Sequence, residues 1–197
     1  MKKIFGLLIS IVFLSGCDEL EEIGDRSPGI VYKKIDAEVR YNKRVSLDLN
    51  GDNDDDLDMI GHLMMENGKS HLYLQAKVIN GSNHKIMLKE NPETGSEGYW
   101  VYPFEKDKKI TEEPEPGCMW STPTSAGYFV KMREEDRLFS GLWKGQENRY
   151  LAFQTRINKK VHYGWVRVSH VAGEDQLTVE DMAYKVLSEK SISAGDK

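Results

Sequence analysis

The sequence predicts an all-β fold, an antiparallel β-sandwich of jelly-roll type with a calcium-binding loop between strands. Short apolar runs alternate with turn residues along most of the chain. Asn67-Gly68 and Asn80-Gly81 are dipeptides that favour tight turns between antiparallel strands. No long stretch has the sustained 3.6-residue apolar period that a packed helix requires. These observations favour two strand layers around one core.

The predicted strands run in order from residue 30 to residue 186. They cover residues 30–35, 38–41, 44–47, 59–65, 70–79, 85–89, 128–132, 150–157, 161–170 and 177–186. In the strand at 161–170, alternation places Tyr163, Trp165 and Arg167 on one face and Gly164 on the other, where it would admit a bulky ring. Residues 91–124 are rich in proline, glycine and charge, and the proline-bearing segments 112–117 and 121–123 are expected to be loops, whereas residues 133–139 could form one short helical turn.

The N-terminal residues predict the signal peptide of a bacterial lipoprotein. Lys2 and Lys3 precede eleven apolar-rich residues, which are too few to span a bilayer. The segment ends in the string LSGC, which resembles the bacterial lipobox and implies cleavage before Cys17 and a lipid on its sulfur. We therefore expect a signal peptide at 1–16, an acidic tether at 17–28 and a single domain over 29–197. The protein would be anchored to a membrane of the bacterial cell envelope through this lipid.

The residues behind Cys17 leave two destinations open. Asp18 directly after the cysteine resembles the inner-membrane retention signal of enteric bacteria, whereas the acidic cluster at 18–25 resembles the surface-export signal of Bacteroidetes lipoproteins. Removal of Lys2 and Lys3 with the signal changes the net charge from −5 to −7, which disfavours nucleic acid as a partner. With Cys17 lipidated, Cys118 has no partner for an internal disulfide.

The most informative stretch is the aspartate loop, residues 48–58, which holds six aspartates. Carboxylates packed this closely repel one another, so a counter-charge is expected. The side-chain oxygens of Asp48, Asn50, Asp52 and Asp56 stand at positions 1, 3, 5 and 9 of a calcium loop, with the carbonyl of Asp54 at position 7. The sequence therefore predicts one structural Ca²⁺ at this loop.

Two positions of the aspartate loop differ from an EF-hand. Asn53 stands where glycine is usual, and asparagine is the best other residue for a left-handed turn. Met59 at position 12 gives no carboxylate, so Asp58 or a residue from elsewhere would complete the shell, while Asp55 is expected to face solvent. The residues that follow resemble a strand, which predicts a calcium loop that joins β-strands. The alternative is a solvated acidic turn without metal.

A family resemblance rests on the loop string LDLNGD at 47–52 and on three later strings, YLAF at 150–153, HYGWVRV at 162–168 and DMAY at 181–184. Together they resemble a group of bacterial secreted and surface-anchored β-sandwich proteins with an aspartate-rich loop before a strand and a late HYGW-x-R strand. The resemblance covers roughly residues 45–195. It implies a calcium-stabilised extracytoplasmic domain and carries no catalytic residues over to this chain.

Three classes of function follow from these features. The favoured hypothesis is a non-enzymatic envelope domain with structural calcium. The second is a module that binds a glycan or a surface protein, with Trp165, Arg167 and Trp100 as ligand contacts, because aromatic faces suit sugars and arginine suits uronate carboxylates. Trp120 and Trp143 are further aromatics in or near loops. The third is a glycan-cleaving enzyme, marked by two carboxyls about 5–9 Å apart. The sequence has no zinc, P-loop or nucleophile motif, so no residue is assigned as catalytic.

Overall fold

The computed structural model describes residues 29–79, 83–91, 98–123, 125–187 and 191–197. The predicted signal peptide, Cys17 and the tether lie outside these residues. Within the described ranges, no helix is long and apolar enough to cross a membrane. The described strands are β1 (Ile30–Val39), β2 (Arg44–Leu47), β3 (Leu57–Glu66), β4 (Lys69–Val78), β5 (Lys85–Glu90), β6 (Tyr99–Val101), β7 (Pro103–Phe104), β8 (Lys109–Thr111), β9 (Cys118–Trp120), β10 (Ala126–Arg133), β11 (Leu138–Ser140), β12 (Arg149–Ile157), β13 (Lys160–Ser169), β14 (Leu177–Lys185) and β15 (Ser191–Ser193).

The prediction of an all-β antiparallel fold is confirmed. Among the described strands, paired neighbours run antiparallel except β6 and β10. The hairpin of β3 and β4 turns at Asn67 and Gly68, whose φ angles of 52° and 74° are the left-handed values that this turn type requires. The second dipeptide, Asn80-Gly81, lies outside the described residues.

Two local predictions differ from the structure. The runs at 30–35 and 38–41 are one strand, β1, interrupted by a register shift next to Asp36, whose φ is 56°. Such a bulge adds a residue without ending the strand, so the alternation in the sequence is broken while the pairing continues. The short helical turn at 133–139 was a wrong prediction. These residues form a tight turn that leads into β11, which pairs with β10.

The described strands form one nearly closed, barrel-like sheet in the order β1-β14-β13-β12-β5-β6-β10-β4-β3-β2. We call β1, β14, β13 and β12 the first half, and β10, β4, β3 and β2 the second half. β5 joins them because it pairs with β12 on one side and with β6 on the other. A separate two-stranded sheet of β8 and β15 completes the described strands.

The main core lies between the two halves, and both contribute apolar side chains to it. Its fully buried members include Leu57, Met59, Leu74 and Ala76 from the second half and Phe153, Val166, Val168 and Val179 from the first. A smaller core covers the opposite face of the first half, where Phe104, Ile110, Tyr150, Tyr163, Trp165 and Ile192 pack together. The first half is therefore apolar on both faces along much of its length.

Gly164 shows how closely the first half packs, as the sequence predicts. A Cβ built on this residue would stand 2.2 Å from Cζ of Phe153 and 2.6 Å from the carbonyl oxygen of Ala183. Both distances are shorter than any real carbon contact, so only glycine allows the Phe153 ring to lie across the strand. The prediction that Gly164 admits a bulky ring is confirmed.

Candidate metal centre

The aspartate loop joins β2 to β3 and lies directly against the core. Leu49, inside the loop, is fully buried in the main core, so the acidic residues on either side of it are held at the surface. The base of the loop is closed by backbone hydrogen bonds: the N–H of Asp56 donates to the carbonyl of Leu47, and that of Ile79 donates to the carbonyl of Asp56, both at 2.8 Å. These two hydrogen bonds anchor the base of the loop without any ion.

Asp48 organises the first part of the loop through its carboxylate. Its Oδ1 accepts hydrogen bonds from the N–H groups of Gly51 at 2.7 Å and Asn50 at 3.1 Å, and its Oδ2 accepts one from Asn53 at 2.9 Å. Burial raises the pKa of Asp48, but hydrogen bonds from these backbone groups and that of Asp52 outweigh it, so the pKa lies below its ordinary value. The carboxylate is therefore held in its charged form.

The prediction that Asn53 replaces a left-handed glycine is confirmed by its φ of 69°. Asn50 and Asp52 support the same turn. The Oδ1 of Asn50 accepts from the N–H of Asp52 at 3.0 Å, and the Nδ2 of Asn50 donates to Oδ2 of Asp52 at 2.8 Å. The N–H of the exposed Asp54 donates to Oδ1 of Asp52 at 2.9 Å. These short contacts fold the side chains of positions 1, 3 and 5 inward.

Three of the predicted ligands meet at one point. Asp48, Asp52 and Asp56 each offer a carboxylate oxygen, and these oxygens lie within 4.8 Å of one another. At such a separation, each pair of like charges costs about 1 kcal/mol in bulk water and about 3 kcal/mol near a protein surface. The three oxygens could hold a hard cation, which prefers such ligands.

Two further aspartates take no part in this cluster. Asp58 accepts a hydrogen bond from Ser46 Oγ at 2.7 Å and pairs with Arg44 at 3.4 Å, so it belongs to the pairing of β2 with β3. The sequence left Asp58 or a residue from elsewhere to complete the shell, and Asp58 lies outside the cluster of three carboxylates. Asp55 is exposed, as predicted.

Asp56 has a partner that the sequence did not reveal. The residue is only 3% exposed, its Oδ2 accepts from the N–H of Leu49 at 2.9 Å, and its Oδ1 lies 2.9 Å from Nε2 of His84. The Nδ1 of His84 in turn lies 3.0 Å from Oγ1 of Thr155 in β12. One tautomer satisfies both contacts, with Nε2–H donating to Asp56 and Thr155 donating to Nδ1. Because a carboxylate oxygen has two lone pairs, Asp56 retains capacity for an ion.

A second contact ties the loop to the first half. The hydroxyl of Tyr184 in β14 donates to the carbonyl of Asn50 at 3.2 Å. A Cβ on Gly51, which has a φ of 82°, would stand 2.8 Å from that hydroxyl. Burial raises the pKa of Tyr184, and the negative charge of Asp48 raises it further. The aspartate loop therefore connects two strands of the second half. It is attached to the first half at β14 by the Tyr184 hydrogen bond and at β12 through His84.

Of the predicted ligand contacts, Trp165 and Trp100 are buried, whereas Arg167 is partly exposed and engaged in ion pairs. Trp165 is fully buried, Trp100 is 5% exposed, and Trp143 is also fully buried, with its Nε1 donating to the carbonyl of Val101 at 2.9 Å. Arg167 forms two parallel hydrogen bonds with Asp181, at 2.9 and 2.8 Å. The tryptophans fill cores, and the arginine serves an internal ion pair. Solvent-exposed aromatic faces, which a glycan platform requires, are absent at these three tryptophans.

No model of a known protein family matches the chain, and comparison with curated proteins and with solved structures finds no match either. The resemblance to secreted β-sandwich proteins therefore stays a prediction from the loop and the late strings.

Proposed function

We propose that this protein is a lipid-anchored domain of the bacterial cell envelope, non-enzymatic, whose fold is stabilised by a structural Ca²⁺ at the aspartate loop. The observation that carries the proposal is the convergence of Asp48, Asp52 and Asp56 within 4.8 Å. The loop around them is held in shape by its own N–H groups and by contacts to both halves of the sheet. An ion there would fix the shape of the loop, which contacts Tyr184 of the first half.

Calcium suits the site better than other common cations. The clustered donors are carboxylates, with the amide oxygen of Asn50 and the carbonyl of Asp54 at the spacing of further ligands, and the cluster itself contains no histidine or cysteine, the ligands that zinc favours. Magnesium requires strict octahedral geometry and loses its waters reluctantly. Extracellular calcium modules bind at about 10⁻⁴–10⁻³ M, and the missing carboxylate at position 12 favours that weak range. Such an affinity matches a site that is filled outside the cytoplasm.

The anchor is proposed from the string LSGC and the apolar run before it. Each buried methylene of a lipid chain contributes about 0.8 kcal/mol to membrane binding, so acyl chains on Cys17 would hold the domain at the membrane. Intact-mass measurement of the protein from the membrane fraction should show an N-terminal Cys17 with its lipid. An unmodified chain found in the soluble fraction would contradict the anchor and leave the calcium proposal untouched.

Thermal melts in EDTA and in millimolar calcium test the ion. An ion at ten times its Kd that binds only the folded state stabilises it by about 1.4 kcal/mol. For a domain of this size, that corresponds to a rise in Tm of about 3–6 °C. Magnesium at the same concentration should raise Tm by less.

A pair of variants separates the site from general charge effects. Asp52→Ala removes an exposed carboxylate of the cluster and should abolish the difference between the two melts. Asp55→Ala removes an exposed carboxylate of the same loop that lies outside the cluster and should preserve it. If the wild-type curves superimpose at every calcium concentration, the loop is an acidic turn and the proposal is wrong.

A further inference from the structure

A groove of about 410 Å³ opens on the outer face of the first half, beyond the smaller core. Its floor is a row of residues from three neighbouring strands: Lys85 in β5 pairs with Gln154 in β12, which pairs with Tyr163 in β13. Residues that stand opposite one another in antiparallel strands project from the same face. The three side chains are thus neighbours on one surface, and the volume is within the range of small-ligand sites.

Trp120 forms one wall of this groove, which we call the Trp120 groove. The residue lies in β9 and is half-buried, and its Nε1 donates to the carbonyl of Glu112 at 2.9 Å. Its ring centroid is 6.3 Å from that of Tyr163, with the planes tilted by 45°. The indole is therefore fixed in orientation from two sides while part of its surface remains accessible.

Two basic residues without an anionic partner in the described ranges line the groove. Lys85 and Arg156 both line it, and within the described part of the structure neither side chain forms an ion pair or a hydrogen bond. Arg167 and Arg133, by contrast, are each bound to an aspartate. In a protein with a net charge of −5, two unpaired basic groups beside one concave surface favour an anionic ligand.

We propose that the Trp120 groove binds an acidic saccharide, a glycan that contains uronic acid. The accessible face of Trp120 would contact the C–H face of a sugar ring, and Arg156 and Lys85 would bind its carboxylate. Gln154 and Glu112 supply an amide and a carboxylate for the hydroxyl groups. Among the described lining residues, Glu112 is the single carboxylate. Glycoside hydrolysis generally uses a pair of carboxylates, so the inference is binding and not cleavage.

Isothermal titration of the purified protein with oligosaccharides of galacturonate, alginate and hyaluronan tests the proposal. Neutral oligosaccharides and polyglutamate serve as ligand controls, and each titration is made in EDTA so that calcium does not bridge protein and ligand. We expect binding of at least one uronate oligosaccharide, weakened by salt, and no comparable binding of either control. Absence of binding to all three uronate ligands at millimolar concentration would overturn the proposal, as would equal binding of polyglutamate.

Two variants place the binding in the groove. The double change Lys85→Gln and Arg156→Gln should weaken affinity at least tenfold, as should Trp120→Ala. The matched control, Lys33→Gln with Arg40→Gln, removes the same charge from exposed positions outside the groove and should leave affinity unchanged. Equal losses in the two double variants would show non-specific attraction and contradict the proposal. The Asp52→Ala variant should bind the uronate oligosaccharide with the affinity of the wild type. The saccharide proposal and the calcium proposal can therefore be contradicted independently of each other.

Discussion

His84 is the residue that links the candidate metal centre to the rest of the sheet. It is 2% exposed and contacts Asp56 in the loop with one ring nitrogen and Thr155 in β12 with the other. A buried carboxylate that loses its partner retains the full penalty of desolvation. The imidazole therefore stabilises the buried Asp56 carboxylate by a hydrogen bond.

Replacement of this ring by an apolar side chain of similar size isolates the polar contribution. We expect His84→Leu to lower the free energy of unfolding by about 3 kcal/mol, because it leaves the buried Asp56 without its partner. Urea denaturation followed by circular dichroism measures the change. His62→Leu is the matched control, since His62 is only half-buried and should cost less than 1 kcal/mol. Equal midpoints for the two variants would refute the structural role of His84.

Single residues differ in how far the sequence reveals them. The left-handed turn at Asn53 and the close packing at Gly164 could be predicted, because each depends on backbone geometry or on the alternation of one strand. The contact of His84 with Asp56 joins residues 28 positions apart, and no spacing in the sequence connects them. Trp165 on its strand could be assigned to a face, but which other elements cover that face is a tertiary property.

At the scale of elements, the first half is joined by a buried ionic network on Asp181. This residue in β14 is 1% exposed. Its Oδ2 accepts a hydrogen bond from Nη2 of Arg167 in β13 at 2.8 Å and another from the hydroxyl of Tyr32 in β1, also at 2.8 Å. Lys197 donates to the same carboxylate at 3.1 Å. One carboxylate thus holds three adjacent strands together.

The network predicts a loss of stability in acid. Burial raises the pKa of Asp181, but hydrogen bonds from Arg167, Tyr32 and Lys197 outweigh it and hold the pKa below the ordinary 3.8. A depressed carboxyl pKa contributes stability that is complete above the unfolded value and is lost as the pH falls through the folded value. The free energy of unfolding should therefore decline below about pH 4, by up to about 1.4 kcal/mol per pH unit for this proton.

Asp181→Asn should lower stability by about 2 kcal/mol at pH 7, since it removes hydrogen bonds to a charged group. The same variant should show a shallower decline below pH 4 than the wild type. Urea unfolding between pH 2 and pH 7 measures both effects, and the exposed Asp175→Asn should reproduce the wild-type profile. Parallel acid profiles for Asp181→Asn and the wild type would contradict this account.

Long strands could be predicted and short ones could not. Strands such as β12 and β13 are apolar-rich runs of nine or ten residues bounded by turn residues, so the sequence alone determines their limits to within one residue or so. β7, β8 and β9 have two or three residues each and exist because neighbouring strands supply their hydrogen bonds. The Trp120 groove depends on β9, so its position in the fold could not be predicted from the sequence. Trp120 itself was among the candidate aromatic residues.

At the scale of the whole molecule, the strand order is the property that could not be predicted from the sequence. β5 pairs with β12 of the first half and with β6, which pairs in parallel with β10 of the second half, although β5 and β12 lie far apart along the chain. Apolar alternation shows that a strand has one buried face but does not specify its neighbours. Both halves nevertheless contribute to one main core, so neither is a separate folding unit.

This shared core predicts that the domain unfolds in one step, with or without calcium. Far-UV circular dichroism reports all strands, whereas tryptophan fluorescence reports four residues, among them Trp143 in the main core and Trp165 in the smaller core. The aspartate loop contributes Leu49 to the main core, contacts β14 directly and is linked to β12 through His84, so its ion should stabilise the entire domain and not the loop alone. Coincident transitions from the two probes are the mark of such cooperative behaviour.

Melts of the same sample followed by both probes make this test. In EDTA the two curves should coincide, and millimolar calcium should move both by the same number of degrees. Asp52→Ala should keep the curves coincident while it removes the shift, because the variant loses the ion but retains the shared core. If calcium moves only one of the two curves, then the domain does not unfold in one step and the ion stabilises only part of it.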